Sequence, residues 1–367
     1  MNCSVKTNCW LEVTSKALLN NKHNINHRLK NGTKICCVVK ANAYGLGVVE
    51  IAKILECDGV DYFGVANICE GISLRNAGIK APILILGYTN PKFAIDLVKY
   101  DLTQTVFSIA FANELVANLK PSDKIRCHIK INSGMNRLGF DSRNSNSVNE
   151  IKQIYEDPHF NVEGIFTHFY NADKTDVNDT KAQFLEFINI VEELNKVGCN
   201  FKIRHCCNSS ATINYPDMHL DMVRVGAALY GIDVSEKEKF EETIALKARI
   251  SQIKFLKKGD KVSYGATFVA NKKMKVATIT AGYADGIFRS NSNKLEVAIN
   301  GHHCKVLGTI CMDQFIVDVS SIECHENDEV VVLGRGGMSI NEVAKLNSTI
   351  AYEIICNINS RVARIVK

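Results

Sequence analysis

The stretch ICCVVKANAYGLG, residues 35–47, decides the fold. Its five consecutive apolar residues, Ile35 to Val39, predict a strand that is buried on both faces, as in a parallel sheet covered by helices. The strand ends at Lys40, and the carboxyl ends of parallel strands are where α/β folds hold their chemistry. A half-buried lysine there would have a lowered pKa and could form a Schiff base, whereas a solvated lysine just past a strand is the alternative interpretation.

Seven more apolar runs follow, separated by amphipathic segments such as 182–197. The runs are residues 62–66, 83–87, 103–107, 125–131, 162–168, 201–207 and 222–226. Eight strands that alternate with helices are the count of a TIM barrel, so we predict an α/β fold with a (β/α)8 barrel over residues 13–236. A doubly wound open sheet is the alternative, but no GxGxxG follows the first strand.

The alternation of strands and helices stops after about residue 233. Residues 295–306 predict a hairpin, because Asn300-Gly301 supplies the two positive-φ positions of a type I′ turn. Apolar runs at 315–319 and 330–334 predict further strands, residues 341–357 predict one helix, and the last residues predict a strand. We therefore expect a mainly β C-terminal domain over residues 237–367, and we expect residues 1–12 to add a strand to it through Trp10.

Composition narrows the function classes. The chain has 367 residues, 46% of them hydrophobic, and a net charge of +5 without Lys/Arg blocks, which argues against a nucleic-acid or membrane partner. The fourteen cysteines include no CxxC pair, and no signal peptide is visible, so we expect reduced thiols in a cytoplasmic protein. His302, His303 and Cys304 have no second pair at ligand spacing, so we expect no metal.

Polar residues stand at five strand ends of the predicted barrel. They are Lys40; Lys130, followed by Arg137; Thr167 and His168; Asn208 and Ser209; and Arg224 and Gly226. Burial of such groups is costly unless they have a function. Ser209 and Gly226 follow strands seven and eight, where barrels commonly bind phosphate. A phosphate site beside a Schiff-base lysine indicates pyridoxal 5′-phosphate (PLP).

Several motifs make the chain resemble the alanine racemase family of barrel-type PLP enzymes. They run in order from Trp10 to the C-terminus: VVKANAYGLG, KINSGMNRLG, THF, HCCNSSAT, VRVGAALYG, SYGATF, GYADG, GTICMDQ and AYEIICNINSRVARIV. The resemblance implies PLP-dependent interconversion of L-alanine and D-alanine by two bases, which would supply D-alanine for peptidoglycan. It also implies an obligate homodimer with shared active sites.

The resemblance assigns a role to each matching residue. Lys40 and Tyr264 would be the two bases, with Tyr264 reaching the partner subunit's barrel. The cofactor would be bound by Lys40, Tyr44, His168, Asn208, Ser209, Arg224, Gly226 and Tyr352, and the substrate by Arg137, Met312 and Tyr283. Lys130 matches a lysine that some members carbamylate, and an ordinary lysine is the alternative.

Three other functions fit parts of the sequence. A racemase of serine or lysine would share the fold, and the width of the pocket would decide. A barrel-type PLP decarboxylase of basic amino acids would be expected to carry a glutamate where Arg224 stands. A non-catalytic PLP carrier would lack the second domain, and Tyr264 argues against it.

Overall fold

Eight parallel strands form a barrel, and each of them falls on one of the predicted apolar runs. The computed structural model describes residues 7–174, 177–232, 234–235 and 237–367. After a first strand, β1 (Cys9–Val13), the barrel strands are β2 (Lys34–Val38), β3 (Tyr62–Val65), β4 (Ile83–Ile85), β5 (Thr103–Val106), β6 (Ile125–Asn132), β8 (Phe160–Phe166), β9 (Ile203–His205) and β10 (Met222–Val225), with the short β7 (Phe140–Asp141) paired to β6. The predicted domain limit at residue 236 and residues 1–6 lie outside the described residues.

The barrel is almost closed. The strand order is β10-β2-β3-β4-β5-β6-β8-β9, and every pair in it is parallel. Backbone hydrogen bonds from Asp221 N to Arg204 O (3.0 Å) and from Arg224 N to Cys207 O (2.9 Å) link the two remaining edges. The TIM-barrel prediction is confirmed, and the open-sheet alternative is excluded.

Helices connect the barrel strands and cover their outer faces. They are α1 (Ser15–Asn26), α2 (Lys40–Tyr44), α3 (Val48–Cys57), α4 (Ile68–Asn76), α5 (Ala94–Lys99), α6 (Ile109–Val116), α7 (Asn146–Glu156), α8 (Asn178–Lys196) and α9 (Ser209–Asn214). In α8 the apolar positions Phe187, Val191 and Leu194 are buried, as their helical spacing predicts.

A second sheet of eight strands follows the barrel and is antiparallel except at one pair. Its strands after β1 are β11 (Ile244–Leu256), β14 (Met274–Ile279), β15 (Glu296–Ile299), β16 (His302–Leu307), β17 (Phe315–Asp318), β18 (Glu329–Gly334) and β19 (Ala363–Val366), while β12 (Lys261–Val262) and β13 (Phe268–Val269) pair separately. The predicted hairpin joins β15 to β16, with Asn300 at φ 50° and Gly301 at φ 79°. The first strand joins this sheet between β11 and β19, as predicted.

The prediction of one helix over residues 341–357 is wrong. The segment forms two helices, α10 (Ile340–Leu346) and α11 (Ala351–Cys356). Ser348 between them has φ 53°, a left-handed conformation that no right-handed helix can contain. Apolar spacing continues across this break, which is why the sequence pattern does not reveal it.

The segment containing α11 packs directly on the loop that follows Lys40. Gly45 has φ +87°, and a Cβ there would lie 2.7 Å from Ile355 O, so only glycine allows this contact. Arg364 donates hydrogen bonds to Gly45 O (2.9 Å) and to Ile358 O (2.7 Å). The end of the chain therefore holds the Lys40 loop against the helix that carries Tyr352.

The turn α2 is left-handed over residues 41–44. All four non-glycine residues have φ between 53° and 56°, a conformation that costs about 1–2 kcal/mol per residue. Hydrogen bonds from Ala41 N to Glu70 Oε1 (2.7 Å) and from Val48 N to Asn42 Oδ1 (2.8 Å) offset part of this cost. Backbone strain of this kind is concentrated at functional sites.

Gly45→Ala tests the packing of α11 on this loop, with Gly59→Ala as the matched control. Both glycines have positive φ, so alanine strains either backbone by about 1–2 kcal/mol, but a Cβ at Gly59 meets nothing within 4 Å. We expect Gly45→Ala to lower the thermal unfolding midpoint clearly more than Gly59→Ala. Equal shifts would show that the contact with Ile355 does not constrain the loop.

Candidate active site

A cavity of about 580 Å³ opens at the carboxyl ends of the barrel strands. Parallel strands bring the residues that follow them to one end of a barrel, where side chains from distant parts of the sequence meet. Ten of the thirteen predicted site residues line this cavity: Lys40, Tyr44, Lys130, Arg137, His168, Asn208, Ser209, Arg224, Gly226 and Tyr352.

The other three predicted residues, Tyr264, Tyr283 and Met312, do not line this cavity. Their side chains are exposed by 72%, 42% and 52%. They lie on neighbouring loops of the second sheet: Tyr283 N donates to Cys311 O (3.0 Å), and Thr309 Oγ1 donates to Tyr264 O (2.8 Å). The single chain thus presents two separate parts of the predicted site.

Arg224 is buried at the floor of the cavity and is held on both of its terminal nitrogens. Nη2 donates to Thr167 O (2.8 Å), Cys206 O (3.1 Å) and His168 Nδ1 (3.0 Å), while Nη1 donates to His205 Nδ1 (2.8 Å). Burial first, and then the Arg224 charge, lower the pKa of His168 and His205 well below the usual range. Both imidazoles are therefore neutral acceptors.

Lys130 is a buried amine without an acidic partner. Its Nζ donates to Ile131 O (2.8 Å) and lies 5.1 Å from the centre of the Phe166 ring, which also stacks on Arg224. No carboxylate of the described residues forms an ion pair with Lys130, Arg137 or Arg224. Burial, followed by the Arg224 and Arg137 charges, lowers the pKa of Lys130 well below its usual value.

Lys40 lies on the open side of the same cavity. Desolvation by the surrounding protein is the largest cause that lowers the pKa of Lys40, and the Arg137 charge is the next, while Glu70 acts in the opposite direction. A lysine with a lowered pKa is more often the neutral amine that can act as nucleophile or base. The pKa therefore favours the chemical interpretation of Lys40 over that of a solvated surface residue.

Hydroxyl and amide groups converge at another part of the wall. Ser209 Oγ accepts from Gly226 N (3.0 Å), and a Cβ on Gly226 would overlap the Tyr44 hydroxyl and lie 3.0 Å from its ring carbon Cζ. The Tyr352 ring lies 5.9 Å from the Tyr44 ring. Burial raises the pKa of Tyr44, so its hydroxyl keeps the proton and can donate it in a hydrogen bond. Asn208 caps α9 by accepting from Ala211 N (2.9 Å).

Comparison with known proteins accounts for almost the whole chain. Residues 13–234 match the family described as alanine racemase, N-terminal domain, and residues 243–366 match alanine racemase, C-terminal domain. The chain belongs to the alanine racemase family. An alanine racemase of Methanococcus maripaludis is 40% identical over 368 residues, which cover 97% of this chain and 98% of that protein.

Solved alanine racemases share the fold. An alanine racemase of Clostridium difficile 630 superposes with a TM-score of 0.96 at 38% identity, covering 99% of this chain and 97% of that one. An alanine racemase of Bacillus anthracis with bound L-Ala-P gives a TM-score of 0.93 at 33% identity, covering 100% and 96%. The Bacillus anthracis structure shows that a member of the alanine racemase family binds L-Ala-P.

Neither a metal centre nor a membrane-spanning helix occurs among the described residues. Among the described residues, no three His, Cys, Asp or Glu side chains are grouped closely enough to hold a metal ion. No helix in the described ranges combines the length and the apolar character that crossing a membrane requires.

Three residues at this cavity were not predicted from the sequence: His205, Phe166 and Cys356. His205 binds Arg224, while Phe166 and Cys356 are in the lining. A signal for His205 exists, since an imidazole inside an apolar barrel strand requires a polar partner. Phe166 and Cys356 look like ordinary apolar residues in the sequence. The closed barrel shows that Phe166 lines the cavity, and the packing of α11 on the Lys40 loop brings Cys356 to it.

Arg137→Gln tests whether the Arg137 charge lowers the pKa of Lys40. Arg143→Gln is the control, because Arg143 is exposed and pairs with Asp141 instead. Since a neighbouring positive charge lowers a lysine pKa, removing Arg137 should raise the pKa of Lys40. The pH midpoint for acylation of Lys40 in the cofactor-free protein, followed by peptide mass spectrometry, should move upward only in Arg137→Gln. An unmoved midpoint would mean that Arg137 does not act on Lys40.

Proposed function

We propose that this protein interconverts L-alanine and D-alanine with PLP as cofactor. The observation that carries the proposal is Lys40, an amine of lowered pKa, in one cavity with Arg224 and a hydroxyl and amide cradle, in a chain that belongs to the alanine racemase family. PLP carries a chemical group that would pair with each of these: a carbonyl carbon for Lys40, a ring nitrogen for Arg224 and a phosphate for the cradle.

The residues present fit PLP. Its dianionic phosphate suits the group formed by the Tyr44 hydroxyl, Ser209 and the glycine backbone at Gly226, where the lack of a Cβ leaves room. Tyr352 lies next to Tyr44 and would add a second phenol. The charges of Arg224 and Arg137 have no ion-pair partner among the described residues, and PLP would supply an anion beside them. Lys40 would hold PLP until the substrate amine replaces it; PLP would then stabilise negative charge at the substrate Cα, and Lys40 would be free to act as a base.

Racemisation needs a proton to leave one face of Cα and another to arrive on the opposite face. Lys40 can exchange a proton on one face because its pKa is lowered toward the working pH. The second base that the family resemblance implies is Tyr264. It does not line this cavity and is 72% exposed on another part of the chain. We infer that Tyr264 of a second copy supplies the other face, which makes the enzyme an obligate homodimer.

The same inference covers the other two exposed residues. Tyr283 and Met312 lie on loops joined by backbone hydrogen bonds from Tyr283 N to Cys311 O and from Ala284 N to Met312 O, both 3.0 Å. A dimer that brings Tyr264 to the partner's cavity would bring these loops with it. They would then contact the substrate alongside Arg137, whose charge suits the substrate carboxylate.

Arg224 favours racemisation over other PLP chemistry. A guanidinium keeps its proton and can only donate, so a cofactor ring nitrogen facing it would stay unprotonated. The ring would then withdraw less charge from Cα, which would favour protonation at Cα over protonation at the cofactor. A decarboxylase of basic amino acids would be expected to have a carboxylate in place of Arg224, which here binds His205 and His168.

Lys130 fits carbamylation. It is buried, its pKa is well below the usual range, and both neighbouring charges are arginines. A neutral amine can add CO2 with release of one proton, and the resulting carbamate anion would pair with Arg137 and offset the charge of Arg224. We infer that Lys130 carries this group in the active enzyme.

The cellular setting is part of the same proposal. All thirteen described cysteines are free, which suits a reducing compartment, so we place the enzyme in the cytoplasm. There it would supply D-alanine for peptidoglycan. We also propose that the two functional units meet near residue 236, with the PLP-binding barrel before it and the β domain after it.

Chiral analysis of PLP-loaded protein incubated with L-alanine, L-serine or L-lysine tests the function. We expect D-alanine to form fastest, and the Lys40→Ala variant to form none because it lacks both the cofactor attachment and the base. Faster formation of D-serine or D-lysine would favour the alternative racemases, and release of CO2 without a D-isomer would favour the decarboxylase.

A further inference from the structure

His128 is a buried histidine in the barrel interior that the proposed reaction does not use. It lies on β6, and its Nδ1 is 2.9 Å from His205 Nε2. The other ring nitrogen of His205, Nδ1, is 2.8 Å from Arg224 Nη1. Arg224, His205 and His128 therefore form a linear chain of hydrogen bonds that runs from the cavity into the barrel.

The charge of Arg224 determines the direction of every bond in this chain. A guanidinium has only donors, so His205 Nδ1 must accept and its proton must be on Nε2. His205 Nε2 then donates to His128 Nδ1, which places the His128 proton on Nε2. Burial, and then charges that include Arg224, lower the pKa of His128 to about 3, so both imidazoles stay neutral as the chain requires.

The chain ends in an unpaired donor. His128 Nε2 is buried and has no hydrogen-bond partner within the described residues. Buried donors without a partner are rare because each loses its hydration without compensation. With an aliphatic residue at 128, the unpaired donor would be His205 Nε2 instead, directly beside Arg224. His128 thus moves the unsatisfied group one residue away from the cavity.

The barrel is shaped to accommodate this imidazole. A Cβ at Gly164 on β8 would lie 2.7 Å from Ile203 O, 2.8 Å from His128 Cε1 and 2.9 Å from its Nδ1, so glycine leaves space for the neighbouring strand and for the ring. The pairing of β6 with β8 shifts register between Cys127 and His128. The Tyr62 ring lies 5.9 Å from the imidazole on another side.

We propose that His128 is a positioning residue that, through His205, fixes the Arg224 guanidinium in the orientation that faces the cofactor ring nitrogen. Without an acceptor at position 128, His205 could pair its Nε2–H only by turning, and it would then lose its bond to Arg224. The inference rests on the proposed function, since it concerns the same arginine and the same cofactor.

The variants His128→Asn and His128→Leu separate the acceptor from the bulk of the side chain. Asparagine places its Oδ1 near the position of Nδ1 and can accept from His205, whereas leucine has a similar size but no acceptor. His219→Leu is the matched control, because His219 is also buried and, within the described ranges, has an unpaired Nδ1 and a side-chain hydrogen bond to Thr212 O alone.

The first measurement is the ¹⁵N spectrum of histidine-labelled, cofactor-free full-length protein. In the unsubstituted protein and in His128→Asn, His205 should carry its proton on Nε2, with Nδ1 unprotonated. In His128→Leu the His205 signals should change, while His219→Leu should leave them in place. A proton on His205 Nδ1 in the unsubstituted protein would overturn the proposal, even if His128→Leu does not fold.

The second measurement is the ratio of pyruvate to D-alanine formed from L-alanine by the PLP-loaded protein. We expect His128→Leu to raise this ratio roughly three- to tenfold, and His128→Asn to restore it. Equal ratios in the two variants would overturn the proposal. If the unsubstituted protein forms no D-alanine, the proposed function fails instead, and the ¹⁵N spectra still decide whether His128 orients His205.

Discussion

The burial of positive charge beside Lys40 is the constraint on which the site depends. Arg224 is buried, Arg137 lies at the same cavity, and no described carboxylate forms an ion pair with either of them. Removing charges from water without a counter-ion is costly, so the protein alone is electrostatically unbalanced. A ligand with a phosphate and a substrate with a carboxylate would supply the missing negative charge.

The same excess of charge explains the protonation states around it. The Arg224 charge adds to the effect of burial in keeping His168 and His205 neutral, and the Arg137 charge adds to it in lowering the pKa of Lys40. The same cations would thus attract anionic ligands, and they also help to keep the nearby nitrogen atoms able to accept protons. These two properties are what a reaction that exchanges a proton at Cα requires.

Holding these groups in place costs the fold part of its stability. Residues 41–44 form a left-handed turn directly after Lys40, and the end of the chain packs against that turn at Gly45 through Ile355 and Arg364. The C-terminal segment therefore has a direct part in the site, because it fixes the Lys40 loop and brings Tyr352 to Tyr44.

The sequence predicts the barrel well because strands that are buried on both faces form continuous apolar runs, and the runs from Ile35 to Gly226 show this plainly. It also places nine of the ten cavity residues together, since parallel strands bring their carboxyl ends to one edge, whereas Tyr352 comes from α11. It does not predict the turn at 41–44, where only Asn42 has a tendency toward left-handed conformations. It also fails at Ser348, because apolar spacing continues across the break between α10 and α11.

His128 shows another reason why the sequence alone does not predict the whole site. In IRCHIKI the apolar residues at 125, 127, 129 and 131 alternate with polar ones, so a period of two was visible. The alternation marks His128 and Lys130 as sharing a strand face, but the partner of His128 is 77 residues away, and only the closed barrel brings His205 to it. Likewise, the sequence does not show that Tyr264 is exposed, because exposure depends on how the folded chain packs.

Mixing two inactive variants tests most directly whether Lys40 of one chain and Tyr264 of another form a single site. Lys40→Ala and Tyr264→Phe should each be inactive alone, yet a mixed dimer would contain one site with both residues intact. Random reassociation of equal amounts should restore about one quarter of the unsubstituted activity, because half of the dimers are mixed and each has one working site. A mixture no more active than its components would contradict the shared site.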